Sequence, residues 1–244
     1  TEVTGKNFLD IMDNTDFILC IGERGTNSHK SFLKYNKPIL NFLPSISPKV
    51  AFKPENISTR KKNTFLCFAG NGFICKGVDI VLEAFLEDAS KELHICGPSS
   101  ETAFFRYYNN KIRNAKNIKF HGFIEPGGEK FNILAKVCAY TIFHSASESC
   151  CTAVATTMKA GLVPIINPWT NINIENCGIS LSDDGDKIEN IKKAIVQASK
   201  ISDEEYAEMV AGTLKKASLF SQESFTESYT QAISQVIEKE KSLQ

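Results

Sequence analysis

Between Thr64 and Ile166, short apolar runs alternate with longer helix-like segments, and this alternation restricts the fold more than any other feature of the chain. Thr64 to Ala69, Leu93 to Cys96, Ile118 to His121, Ala139 to Phe143 and Val163 to Ile166 have the length and apolar content of strands. Val78 to Leu86, Glu101 to Arg113 and Glu129 to Val137 have helical length, and Cys151 to Lys159 fills the remaining gap. Strand and helix taking turns predict a parallel sheet covered by helices, an α/β fold of the doubly wound, Rossmann-like type. Such sheets bind ligands at the carboxyl ends of their strands. Here those ends carry Gly70-Asn71-Gly72, Gly97-Pro98, Gly122 and Ser145-Ala146-Ser147.

The flanks differ in texture. Asp16 to Gly22 and Lys37 to Leu43 read as two further strands, so residues 1–45 form a segment of their own. Residues 46–63 contain Pro48, Pro54 and the basic cluster Arg60-Lys61-Lys62, the composition of an interdomain linker. That cluster reads as solvated, or as a contact for phosphate or an acidic membrane. The main domain is expected over residues 64–220. After Ser182 its pattern becomes helical, with Ile188, Ile191, Ile195 and Ala198 on one face and a capping box at Ser202 and Glu205. Ser221 opens a last helix over residues 221–244, in which Phe225, Tyr229, Ile233 and Ile237 recur every four residues.

Composition removes several classes. Lys plus Arg and Asp plus Glu are 28 each, so no basic excess draws the chain to nucleic acid. No run approaches the roughly 20 apolar residues that cross a bilayer, and the first 30 residues lack the pattern of a secretory leader. Several of the eight cysteines sit in apolar runs, as expected of a reducing, cytoplasmic setting. The four histidines are far apart and no C-x-x-C pair occurs, so no metal is expected.

Two segments can carry chemistry. In Gly70 to Gly77, glycines let backbone N–H groups approach an anion, the following helix start favours negative charge, and Lys76 adds a mobile cation. The combination suits a diphosphate, although any strand-to-helix turn with a solvated lysine looks similar. In His144 to Thr152, Glu148 sits at a strand end, where a carboxylate can accept bonds from sugar hydroxyls; the plainer reading is an acid at a helix N-terminus. Cys150-Cys151 as a nucleophile, and His144 as a base, lack an identifiable partner in the sequence, so packing roles are the simpler account. Trp169 either lines a pocket or covers the sheet edge.

With those residues in view, Thr64 to Pro168 resembles the donor-binding domain of the retaining GT-B glycosyltransferases called group 1 or family 4. TFLCFAGNGFICKGVDIVLEAF resembles the family's first strand, glycine turn, Lys-Gly pair and helix, and ELHICGP its second strand. NIKFHGFI is similar to the third strand and turn. LAKVCAYTIFHSASESCCTAVATTMKAGLVP resembles the segment with the E-x7-E signature, with landmarks at Met158, Gly161 and Pro164. The resemblance implies a donor site formed by Gly70, Asn71, Gly72, Lys76, Gly97, Phe123, Glu148, Ser149, Cys150, Cys151, Thr152 and Thr156. In it, Lys76 would contact the diphosphate, Glu148 the sugar hydroxyls, and amides from Ser149 to Thr152 phosphate or sugar.

Two positions depart from the family. Asn71 stands where an arginine is usual, and Thr156 where the second glutamate of the signature holds the ribose. The resemblance implies a nucleotide diphosphate sugar as substrate, no separate cofactor, and a glycan or lipid-linked glycan as acceptor. Residues 1–45 resemble the tail of a GT-B N-terminal domain, and the last helix resembles the one that crosses back to it. The chain is therefore expected to be one half of a two-domain enzyme, with catalytic groups and acceptor binding in the other half, on a separate chain or on a longer one. Its expected setting is the cytoplasm, with a peripheral contact at the inner membrane face. The departures keep open a non-catalytic GT-B-like binding module, and a GT-B-like sugar-nucleotide epimerase, with a different acid/base set around the same diphosphate, is a second alternative.

Overall fold

The computed structural model describes residues 10–22, 26, 27, 30 and 35–241. The rest of the expected 1–45 tail and the end of the expected 221–244 helix lie outside the described residues. Contacts group the chain into two units, Thr1–Ser45 with Phe220–Gln244, and Ile46–Leu219.

In the first unit, β1 (Ile18–Ile21) and β2 (Ile39–Phe42) pair in parallel, Ile18 opposite Ile39. Helix α7 (Gln222–Lys241) packs on β2. The contact is aromatic: Phe42 meets Phe225 and Tyr229 edge to face, with ring centres 6.0 and 5.5 Å apart. Ser228 Oγ accepts a bond of 3.1 Å from the Leu43 amide, which satisfies the backbone just beyond the strand.

The second unit holds a six-stranded parallel sheet in the order β5-β4-β3-β6-β7-β8. The strands are β3 (Lys61–Phe68), β4 (Glu92–Cys96), β5 (Ile118–Phe120), β6 (Cys138–Phe143), β7 (Val163–Ile166) and β8 (Ile179–Ser180). The chain starts in the middle, moves outward through β4 and β5, and returns to β6 on the other side of β3. Counted from β3 this is the doubly wound order 3-2-1-4-5-6, with its switch point between β3 and β6.

Six helices belong to this unit: α1 (Val78–Leu86), α2 (Thr102–Asn114), α3 (Glu129–Val137), α4 (Thr152–Lys159), α5 (Lys187–Lys200) and α6 (Asp203–Ala217). Successive strand residues point to opposite faces, and β3 shows which helices cover each. Phe65 meets Phe85 of α1 at 5.2 Å, whereas Leu66 lies in the cluster that contains Phe131 and Leu134 of α3. Both faces are thus covered, which is why Phe65 to Phe68 of β3 and most of β6 are continuous apolar runs rather than alternating ones.

Several elements differ from the sequence expectation. Of the basic cluster only Lys61 is exposed, and the segment belongs to the sheet unit rather than standing free as a linker. Strand β3 starts at Lys61, Val50 is buried in the core, and residues 54–59 form a 3-10 turn. Arg60 is 8% exposed, and its guanidinium donates to the carbonyls of Ala135 (3.0 Å), Ala160 (2.6 Å) and Gly161. A side chain that reads as a surface charge is instead the cap of α3 and of the turn after α4, three carbonyls that only a planar fork of donors can satisfy together. Strand β8, the two residues that follow Gly178, has no counterpart in the sequence pattern. The segment after Glu148 is helical as α4 despite its Thr and Val content, because Val154, Ala155 and Met158 are buried. The capping expectation at Ser202 holds: its side chain accepts the Glu205 amide at 3.1 Å.

Candidate donor-binding site

The loops after β3 and β6 both emerge at the carboxyl edge of the sheet, one on each side of the switch point. They are stitched together by backbone. Cys75 O accepts from the Ala146 amide at 2.8 Å and from Ser145 Oγ at 3.3 Å. Gly77, with φ of 64°, passes so close to β6 that a Cβ there would stand 1.8 Å from His144 O. No other residue fits that contact, so the glycine before α1 sets how closely the two loops approach.

The junction brings Lys76 and Glu148 together. Lys76 Nζ donates to Glu148 Oε1 at 2.5 Å, and the side chains are 23% and 18% exposed. They are 72 positions apart in sequence, with three helix–strand units between them, so the pairing is a product of strand order.

The β6 loop is fixed on its far side as well. Asn167, at the end of β7 and 1% exposed, grips Ser145 with both ends of its carboxamide. Oδ1 accepts the Ser145 amide at 3.1 Å, and Nδ2 donates to Ser145 O at 2.8 Å and to Asp183 Oδ1 at 3.0 Å. Trp169 O and Thr170 O accept the amides of Glu148 and Cys151, each at 2.9 Å. Asn171 donates to Ser149 O. Asn167 and Asp183 were not singled out from sequence, although Asn167 directly follows a strand and so had the positional signal.

A cavity of about 190 Å³ opens at the same edge of the sheet, between the loops after β3, β4 and β5 and the first turn of α4; neither Lys76 nor Glu148 lines it. It is lined by Gly70, Gly97, Phe123, Thr152 and Thr156 from the expected set, and by apolar groups such as Phe68 and Ile124 that the sequence did not mark. Gly97 is needed for its shape: a Cβ there would lie 2.5 Å from the Phe73 ring, whose burial under the glycine turn holds that turn in place. Phe123 is 71% exposed. Thr156 is buried, and its hydroxyl donates to Thr152 O at 2.7 Å, so only its lone pairs face the cavity.

The remaining expected residues are placed as follows. Asn71 is exposed on the turn. The Gly72 amide is taken by the Glu101 carboxylate, a partner with no sequence signal. Among the amides of Ser149 to Thr152, Cys151 binds Thr170 O and Thr152 binds Cys150 O, so an anion on this loop would take those of Ser149 and Cys150. Burial pushes the Cys150 thiol up to about 11 and Cys151 up to about 12, which leaves both protonated near neutral pH and disfavours the nucleophile reading. His144 is 2% exposed, with Nε2 3.5 Å from Asp183 Oδ1, and burial lowers its pKa. The imidazole is enclosed beneath the loop rather than presented on it. Among the described residues no cluster of three or more His, Cys, Asp or Glu is arranged for a metal ion, and no helix is long and apolar enough to cross a membrane.

The doubly wound, six-stranded parallel sheet matches the Rossmann-like C-terminal domain of the GT-B fold. Residues 50–177, just over half of the chain, match the family described as glycosyl transferases group 1, and the chain belongs to that family. A comparison with curated proteins finds no match.

Solved structures share the fold. The glycosyltransferase WaaG, involved in lipopolysaccharide biosynthesis, is 14% identical with a TM-score of 0.67 over 88% of this chain and 61% of its own. Sucrose-phosphate synthase from Thermosynechococcus elongatus is 12% identical with a TM-score of 0.78 over 98% and 63%. Anabaena HepE, crystallised with UDP and glucose, is 12% identical with a TM-score of 0.76 over 96% and 68%. The chain thus spans 61–68% of the length of these three structures and about half of others that share the fold, such as TarM, at 45%.

Proposed function

We propose that this chain supplies the donor site for a retaining transfer of a sugar from a nucleotide diphosphate sugar to a glycan or lipid-linked glycan. The observation that carries the reading is the meeting of Lys76 and Glu148 at the switch point, on loops that also supply Gly70 and Thr152 to the cavity lined by Phe123 and Thr156. A lysine at the mouth of a helix-leading turn offsets diphosphate charge, and a carboxylate accepts bonds from sugar hydroxyls. The cavity, part aromatic and with few polar side chains, suits the nucleoside. HepE was crystallised with UDP and glucose, the two parts of such a donor, which supports the assignment by fold.

In the reaction, the bond from the anomeric carbon to the diphosphate oxygen breaks, and the acceptor oxygen bonds to that carbon and gives up its proton. Lys76 and the amides of Ser149 and Cys150 meet the charge that develops on the leaving diphosphate, so no metal or other cofactor is invoked. Acceptor binding and proton removal fall to a second domain, on this protein or on a separate partner, at a cytoplasmic membrane face.

Calorimetric titration with UDP, GDP, ADP and their sugar conjugates tests the reading. Lys76→Ala is expected to weaken the preferred nucleotide by at least about tenfold, the loss of a charge-assisted bond. Binding unaffected by Lys76→Ala rejects the donor-site assignment. A second reading, binding without transfer, draws on exposed, neutral Asn71 and on Thr156, whose hydroxyl proton is spent on its own helix. It predicts nucleotide binding with no sugar release or transfer when the second domain and acceptor are supplied.

A further inference from the structure

Resting on the donor-site reading, we infer that the Lys76–Glu148 ion pair makes this site discriminate against bare nucleoside diphosphate, so that the pair which accepts the sugar nucleotide also helps expel the product. The two side chains neutralise each other at 2.5 Å in a largely shielded position. Separating them leaves each charge in need of a new partner, and a buried charge without one is costly.

A sugar nucleotide provides partners for both. Its diphosphate takes Lys76, and the sugar hydroxyls donate to the Glu148 carboxylate in place of the lysine. A bare diphosphate provides only one. It draws Lys76 away and leaves Glu148 facing a terminal phosphate, whose second ionisation near 6 adds about one further negative charge at neutral pH. Glu148 is therefore attractive to the donor and repulsive to what remains once the sugar has left.

The exchange needs no loop movement. The Cys75 carbonyl is held by Ala146, and the Glu148 amide is held by Trp169 O, so both backbones are anchored and only side-chain torsions part the ions.

The opposite signs expected for donor and product make the inference testable. Wild type, Lys76→Ala, Glu148→Gln and Glu148→Ala are titrated with UDP, GDP and ADP and with UDP-glucose, GDP-mannose and ADP-glucose, with thermal melts as a check on folding. For the base that binds, both Glu148 variants should bind the bare diphosphate about tenfold more tightly than wild type and the sugar nucleotide more weakly. Glu148→Ala serves if Glu148→Gln fails to fold, and the reverse. A folded Glu148 variant that binds the bare diphosphate no more tightly than wild type overturns the inference. If Lys76→Ala still weakens sugar-nucleotide binding in that case, the donor-site reading survives alone. If the wild type binds none of the six compounds, both fall together.

Discussion

A Cβ on Gly77 would lie 1.8 Å from the carbonyl oxygen of His144, so the turn before α1 and the end of β6 meet backbone to backbone. Gly77 also has a φ of 64°, a conformation that costs other residues on the order of 1–3 kcal/mol before any clash is counted. Gly77→Ala is expected to destabilise the protein by at least about 2 kcal/mol and to weaken nucleotide binding by displacing Lys76 from Glu148. Chemical denaturation and calorimetry measure the two effects, and a variant with wild-type stability would show that the turn can shift freely.

Arg60 gives a second stability prediction. Its buried guanidinium serves three carbonyls, on Ala135, Ala160 and Gly161. Arg60→Met should cost about 3 kcal/mol or more, because buried acceptors are left unpaired. Arg60→Lys should recover only part of this, since one ammonium cannot reproduce the fork. Urea midpoints for the two variants check the order.

His94 and His121 stack with ring centres 5.0 Å apart, and His94 Nδ1 lies 2.8 Å from His121 Nε2. Burial holds the His94 pKa down to about 4 and lowers that of His121. An unfolded histidine titrates near 6.5, so as pH falls below that value the unfolded chain takes up protons that the folded chain refuses. The stabilisation is fully present above about pH 6.5 and is lost as pH drops toward 4. Between pH 7 and 5 the loss from His94 should be about 2 kcal/mol, seen as a falling melting temperature. His94→Gln should flatten that slope, and an unchanged slope would move the cause elsewhere.

The thiols should separate sharply by reactivity. Cys75 is exposed on the loop next to Lys76, whereas burial raises the pKa of Cys67, Cys96, Cys138, Cys150 and Cys151. Brief alkylation of the native protein at pH 8, read by mass spectrometry, should label Cys75 well ahead of those five. Labelling of Cys150 at a comparable rate would mean that its loop opens.

The fold was legible where local pattern and tertiary demand coincide. Apolar runs such as Phe65 to Phe68 and Ala139 to Phe143 become strands because both sheet faces are covered, and the caps at Ser202 and Ser221, whose hydroxyls accept the amides of Glu205 and Ser224, are local chemistry. Arg60 was not legible, because its partners lie 75 to 101 residues away and only the closed fold supplies them. Helix α4 defied propensity, since burial of Val154 and Met158 outweighs the modest cost of Thr and Val in a helix. Lys76 and Glu148 each carry a visible local signal, but their contact depends on β3 and β6 being neighbours, a property of strand order alone. Asp183 carries no such signal, because its place beside Asn167 depends on the loop after β8.

The clamp that Asn167 places on Ser145 has a consequence for solvent exchange. Residues 144–151 form neither helix nor strand, yet the amides of Ser145, Ala146, Glu148 and Cys151 are tied to Asn167, Cys75, Trp169 and Thr170. Amide hydrogens in an irregular surface segment normally exchange with deuterium quickly, through small local openings. Here four anchors from two neighbouring loops must release together, so these hydrogens should exchange slowly and as a group, as if the segment were part of the sheet it caps.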